Sequence, residues 1–461
     1  MKPLFEPEEA LDVGRDAAER AWAEGMTVLR PDGSVVPIPL LAEPEVLSRG
    51  FLAEAAAEAE RILSGAVKLA RALLTAGDAR DRAALVEPFS GLEAEAMRRL
   101  FDAPLPVLVA RVDYLIPERA GGMGEPSFTR PHQHDGATPR ALELNATIPA
   151  MPAYADVAAF SWIRAAARAR GRSPREENAL VAACGSHMER LREALVAHYR
   201  ARGGTATRPS IAIVARPGDA QLGELRRLAA HFEQMGHATG TLTPDACVPE
   251  RWDILYRHVW AHRVDPATPF ARALLQPDRF VLLNPVNGLL EAKALFARLS
   301  ECTEDAALAA RAGLDDAERA AAGRLPWTRR LGPALVGEVI AGRERFVVKR
   351  SWDYGGKSVH LGAELGQDEW ARVVEEAARD EKGGGFVVQE RIFAARRPAT
   401  RIAPEGASRG ELYRDLSTYC GLGPSRPSGS VVRAAASPVV NILGGGGLAP
   451  VVPEDVYEAL R

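Results

Sequence analysis

The chain has 461 residues, 47% apolar and 26% charged, with a formal net charge of −3. That length suits about three units of roughly 150 residues each. The near-neutral balance argues against a nucleic-acid partner, which calls for a basic surplus to neutralise phosphates. No apolar run of about 18 residues offers a membrane span. The acidic opening MKPLFEPEEALD lacks the apolar core of a secretion signal, so a cytoplasmic protein is expected. Cys184, Cys247, Cys302 and Cys420 are far apart with no C-x-x-C pair, which reads as reduced and structural. Only six of the 58 basic residues are lysines, so each lysine stands out.

In chain order, the first hundred residues read mostly as helix, most clearly over 54–74, where alanine, leucine and charged residues recur at helical spacing. Residues 104–114 turn β-branched and apolar, a buried strand. A Gly/Pro/His-rich loop fills 119–140, residues 141–148 alternate like a strand, and two helices follow, broken at 171–174. From 210 the texture changes: strand at 210–215, helix at 224–235, strands near 253–260 and 280–283. That alternation predicts a small parallel α/β unit. Val336 onward is strand-rich, with a hairpin expected to turn at Ala341-Gly342 and further strands near 386–392, 411–419 and 430–442.

Several apparent motifs fail. Gly355-Gly356-Lys357-Ser358 imitates a phosphate loop but has Ser351 where its first glycine belongs. His258 and His262 have the i, i+4 spacing of a metal pair but lie in a strand-like segment without the glutamate of a zinc protease. His132, His134 and Asp135 read as a polar loop tip.

A more coherent set is spread along the chain. Glu143 and Asn145, two apart on a strand, present two oxygen ligands on one face, and Asp113 adds a second acid. Such oxygens suit a hard cation that holds phosphates. Lys349 ends an apolar strand and runs into a glycine-containing loop carrying Asp353 and Lys357, whose exposed N–H groups and charge can cradle phosphate. Gln389-Glu390-Arg391-Ile392 ends another apolar strand and suits an adenine clamp. Arg433 and the run Gly444 to Gly447 close the strand-rich region, where a close-approach loop is expected.

This set resembles the circularly permuted ATP-grasp ligases, the branch that contains eukaryotic-type glutathione synthetase. Arg111-Val112-Asp113 and Glu143-Leu144-Asn145-Ala146-Thr147-Ile148-Pro149 match the metal strands, which here precede the nucleotide elements. Phe346 to Val359 is similar to the lysine and glycine-loop segment, Gln389 to Ile392 to the adenine strand, and Tyr419 to Gly447 to the closing region. The resemblance implies an α+β / α/β architecture: a permuted ATP-grasp core with an inserted small parallel unit and a helical N-terminal region. The expected boundaries are 1–104 helical, 105–204 metal strands plus helices, 205–290 the substrate-wall unit, and 291–461 the nucleotide subdomains. It implies an ATP- and Mg2+-dependent ligase joining a small-molecule or peptide carboxylate to an amine. Asp113, Glu143, Asn145 and Asp353 would hold magnesium. Lys293, Lys349, Lys357, Gly355 and Gly356 would hold phosphates, and Gln389, Glu390 and Ile392 the adenosine. Arg111 and Arg433 would grip a carboxylate bidentately, with an internal ion pair as the alternative for Arg433. A nucleotide-binding protein without ligase activity and a small-molecule kinase are the alternatives.

Overall fold

A computed structural model describes residues 3–100 (of 98–100 the backbone alone), 106–117, 138–353, 358–424, 427–442 and 444–461. Two mixed or antiparallel sheets face each other across a cavity, and a parallel sheet abuts one end.

The large sheet has seven strands among the described residues, in the order Arg396–Ala403, Leu40–Leu41, Gly447–Ala449, Ser430–Ala435, Gly406–Leu422, Leu108–Leu115, Arg140–Asn145. The Gly406–Leu422 strand also pairs through its first half with Arg396–Ala403, so the sheet curls on itself. Side chains alternate across a strand, and here the alternation separates core from chemistry. Ala110, Val112, Tyr114, Leu144, Leu416 and Cys420 are buried in one cluster with Phe51, Ala55, Ala59, Ile62, Leu63 and Ala66 of the 28-residue helix Arg49–Ala76. Alanines let that helix lie close, and each leucine-sized side chain buried contributes about 1.5–3 kcal/mol. Ser48 caps it by accepting from the Phe51 N–H. The opposite face carries Arg111, Asp113, Glu143, Asn145, Asp415, Ser417 and Arg433. Asp113 stands opposite both Glu143 and Ser417, and Asp415 opposite Arg433.

The second sheet is antiparallel, ordered Thr328–Arg330, Phe386–Glu390, Phe346–Arg350, Val359–Leu361. Phe346, Val348, Phe386 and Val388 pack on Trp370, Val374 and Ala377 of the helix Gln367–Arg379. Val347, Lys349 and Gln389 line the cavity. The third sheet, ordered Leu282–Leu283, Ile254–His258, Ile211–Ala215, Thr239–Leu242, is wholly parallel, with the helix Leu222–Gln234 after the strand Ile211–Ala215. The strand after 210, the helix and the strands near 254 and 282 fall where the sequence texture put them, and the strand Thr239–Leu242 is an addition to it.

Three local expectations change. The segment Val336–Ala341 is a helix, not the first arm of a hairpin. Its β-branched residues favour a strand, but Val339 is buried beside Trp370, whose indole N–H donates to the Val339 carbonyl at 2.9 Å, so packing overrides propensity. Three helices rather than two cover 152–201, because Ser186 starts a separate one, His187–Ala201, by accepting from the Glu189 N–H. The first hundred residues also supply Leu40–Leu41, a strand too short to read from alternation. No helix among the described residues is long and apolar enough to cross a membrane.

Candidate functional site

A cavity of about 470 Å³ opens between the large and the antiparallel sheets, within the range of small-molecule sites. It is lined by Arg111, Asp113, Glu143, Asn145, Asp415 and Arg433 from one side, and by Val347, Lys349, Gln389, Glu390 and Ile392 from the other. Lys293, Glu291, Asp353, Trp260 and Trp352 complete its wall. Gly355, Gly356 and Lys357 lie outside the described residues, as do His132, His134 and Asp135.

On the large sheet the charges are already matched. Arg111 donates to both Asp113 oxygens, at 2.7 and 2.9 Å, and its third nitrogen donates to the Ala150 carbonyl at 3.0 Å. Arg433 reaches the same carboxylate at 2.8 Å and binds Asp415 through Nε at 3.0 Å and through Nη2. Burial pushes the Asp113 carboxyl up, but Arg111 and Arg433 outweigh it and hold it at about 2. Burial likewise raises Asp415, opposed by Arg433. Asp113, expected to ligate metal, therefore serves as the counter-ion of two arginines. Arg433 Nε and Nη2 are engaged by Asp415 and Asp113, the internal pairing weighed as its alternative.

Glu143 and Asn145 remain as the oxygen donors of this wall. The Asn145 amide donates to Asp113 at 3.2 Å. That bond fixes the amide's orientation and leaves Oδ1 as its acceptor end. Among the described residues no three His, Cys, Asp or Glu side chains converge into a ligand cluster. One carboxylate and one amide oxygen form part of a shell, which fits magnesium, an ion that takes its other ligands from water and phosphates.

The opposite wall is unbalanced in the other sense. Lys349 donates to the neutral Gln389 Oε1 at 2.7 Å, and Gln389 is held in turn by its Nε2 bond to the Thr328 hydroxyl at 3.1 Å. Removal from water lowers the Lys349 ammonium to about 8, with Glu143 opposing and Lys293 adding to the fall. Lys293 opens the helix Lys293–Glu301, tied down by Ser351: its backbone N–H donates to the Ser351 carbonyl at 2.9 Å and the Ala294 N–H to the Ser351 hydroxyl at 3.0 Å. Its Nζ donates to the Asp353 carbonyl at 2.9 Å, and the Asp353 carboxylate accepts from Ser358. Two lysines thus share a wall without a carboxylate bound to either in the described residues, a donor set that suits phosphate oxygens. Gln389, expected to clamp adenine, is first the partner of Lys349; Glu390 and Ile392 lie further along the same rim.

Several contributors were not read from the sequence. Asp415 needs the register that sets it opposite Arg433. Glu291 accepts from the Ala146 and Thr147 N–H groups at 2.7 and 2.5 Å, pinning the chain just after Asn145; burial pushes its carboxyl up to about 7. Asn284 binds Val109 and Ala146 backbone atoms and Asn287 the Ala146 carbonyl, joining the parallel unit to the strand Leu108–Leu115 and to the end of Arg140–Asn145. Trp260 and Trp352 meet edge to face at 5.5 Å. The one sequence cue was the cluster Asn284, Asn287, Glu291 around a short apolar strand. His258 and His262 do not pair: His258 Nε2 meets Gln221 at 3.2 Å, and His262 lies 3.5 Å from Glu93. Within the glycine run Gly446 and Gly447 are packed, since a Cβ there would come within 2.6 Å of the Asn441 or 2.7 Å of the Pro39 carbonyl oxygen, whereas Gly444 and Gly445 are exposed.

The folded chain is thus a mixed α/β protein with a two-walled cavity, lysines facing oxygen ligands. No family model matches the sequence, and no curated protein matches it. Among solved structures the chain is similar to a glutathione synthetase-like effector of Globodera pallida in its apo form, with a TM-score of 0.61 at 12% identity over 97% of this chain and 98% of that one. The likeness is one of fold.

Proposed function

We propose that the chain is an ATP-dependent carboxylate–amine ligase of the circularly permuted ATP-grasp type. The observation that carries the reading is the pairing of walls, Lys349 and Lys293 against Glu143 and Asn145 across one cavity. Lys349 and Lys293 bind phosphate oxygens, and Lys357, Gly355 and Gly356, outside the described residues, are proposed as further phosphate-binding residues. The base enters the apolar slot between Val347, Leu361 and Ile392 on one side and Leu115 and Leu142 on the other, with Glu390 at its rim. Glu143, Asn145 and Asp353 hold Mg2+, which when bound neutralises charge on the phosphates.

The acid's carboxylate oxygen attacks the γ-phosphorus and the bond to ADP breaks, giving an acyl phosphate. The amine then attacks the acyl carbon, phosphate leaves with the bonding pair, and the amine gives up a proton. Phosphoryl transfer of this kind rests on positioning and charge neutralisation, so no covalent nucleophile of the protein is required. The test is ADP release against a panel of acid–amine pairs, with mass spectrometry of the products. An amide formed in step with ADP supports the reading; a stable phosphorylated product identifies a kinase instead. A second reading, a nucleotide-binding protein without ligase activity, is favoured by the engagement of Arg433 with Asp415 and Asp113. It predicts ATP binding with no ADP release for any pair.

A further inference from the structure

The helix Pro152–Ala169 begins just behind Arg111, and its start is unusual. Its N-cap, Met151, has φ +85°, the sole positive φ of a non-glycine among the described residues, and makes no side-chain cap bond. Such a conformation is uncommon for a side-chain-bearing residue and persists where its surroundings enforce it. The cap arrives from another element. Glu224, in the helix Leu222–Gln234 of the parallel unit, is fully buried, and its Oε1 accepts from the Ala153 N–H at 3.3 Å. The Glu224 backbone N–H donates to the Tyr154 hydroxyl at 2.9 Å, and that hydroxyl donates to the Thr27 carbonyl. Gly223 allows the approach: a Cβ there would stand 2.4 Å from the Gly25 carbonyl oxygen and 2.8 Å from the Tyr154 hydroxyl.

The turn that Glu224 holds ends at Ala150. The Ala150 carbonyl receives Arg111 Nη1 at 3.0 Å and the Tyr419 hydroxyl at 2.9 Å. Arg111 passes the constraint to Asp113, and Asp113 to Arg433. We propose that Glu224 is a positioning residue: it caps the Pro152–Ala169 helix from the parallel unit, and through the Ala150 carbonyl it sets where Arg111 stands in the cavity. The linkage does not rest on the ligase reading.

Burial pushes the Glu224 carboxyl up to about 8, so at neutral pH it is mostly protonated and glutamine is its nearest mimic in shape and charge. The experiment uses the full chain labelled with 15N-arginine, with the Arg111 side-chain signals assigned by their disappearance in Arg111→Lys. In Glu224→Gln, the Arg111 Nη signals should keep the wild-type shifts and hydrogen-exchange rates at pH 7. In Glu224→Ala and the milder Glu224→Asp, the Nη1 protons should exchange at least tenfold faster. Arg257, in the same parallel unit and bound to the Asn284, Val259 and Pro285 carbonyls, should be unchanged and serves as the control. Unaltered Arg111 signals in the Asp variant would overturn the proposal, even if the Ala variant fails to fold. So would loss of the Arg111 signals in the Gln variant. Neither result touches the ligase reading, which stands or falls on ADP release.

Discussion

The two walls of the cavity treat charge in opposite ways. On the large sheet, Arg111, Asp113, Arg433 and Asp415 form an alternating chain in which each charge meets its opposite within the protein. On the antiparallel sheet, Lys349 rests on the neutral amide of Gln389 and faces a second lysine. A buried pair that satisfies itself yields a fixed scaffold and costs dearly if one partner is removed. A desolvated cation without an anion is left dissatisfied by the fold and is relieved by an anionic ligand. The difference teaches which charges are frame and which await a ligand, although both walls are rich in arginine or lysine.

The largest expected effect lies between the walls. Glu143→Gln should lower ADP-forming turnover by about a thousandfold or more, on the order of 4 kcal/mol, while thermal melting stays near wild type. Unchanged turnover would remove Glu143 from the metal site and blur the contrast between the walls. Next comes the frame. Arg433→Lys should destabilise the fold by about 3–5 kcal/mol, because lysine cannot serve Asp415 and Asp113 together and leaves a buried carboxylate short of donors. Its ATP affinity should hold. A variant that melts like wild type but loses acid affinity would show that Arg433 belongs to the binding surface after all.

A third test concerns pH. The Glu291 carboxyl is held at about 7 in the fold, above its ordinary 4.5, so the fold favours the protonated form. That contribution is fully present below about pH 4.5 and is lost as pH rises through 7, an effect on the order of 3 kcal/mol at most. Melting temperature should therefore fall between pH 5 and 8, and Glu291→Gln should flatten the slope. An equally steep slope in the variant would place the titration elsewhere.

Part of this was legible in the sequence, and the divide is physical. The apolar strand ending in Lys349, the Glu-x-Asn pair and the parallel α/β texture are local patterns, fixed by alternation and by scarce residue types. What escaped was long-range. Asp113 and Arg433 are separated by 320 positions and meet only because Gly406–Leu422 pairs with both of their strands. Arg111, two positions away on the same face, is a local partner of Asp113, but nothing near Asp113 points to Arg433 as its second. Val336–Ala341 misled because β-branched residues favour a strand until Trp370 supplies a helix-side contact. Glu224 gave no signal at all, since a helix cap supplied from another element has no sequence spacing.

The central claim, that Lys349 awaits an anion, is tested most directly by titrating Mg-ATP into the protein calorimetrically at pH 8.5 in buffers of different ionisation enthalpy. With its ammonium lowered to about 8, Lys349 is largely neutral at that pH, and phosphate beside it raises its affinity for a proton. Wild type should take up about 0.5–1 proton on binding. Lys349→Ala should take up none and bind about thirtyfold more weakly, roughly 2 kcal/mol, whereas Lys382→Ala, at an exposed turn, should behave as wild type. Binding of equal strength with no proton uptake in either wild type or Lys349→Ala would contradict the account.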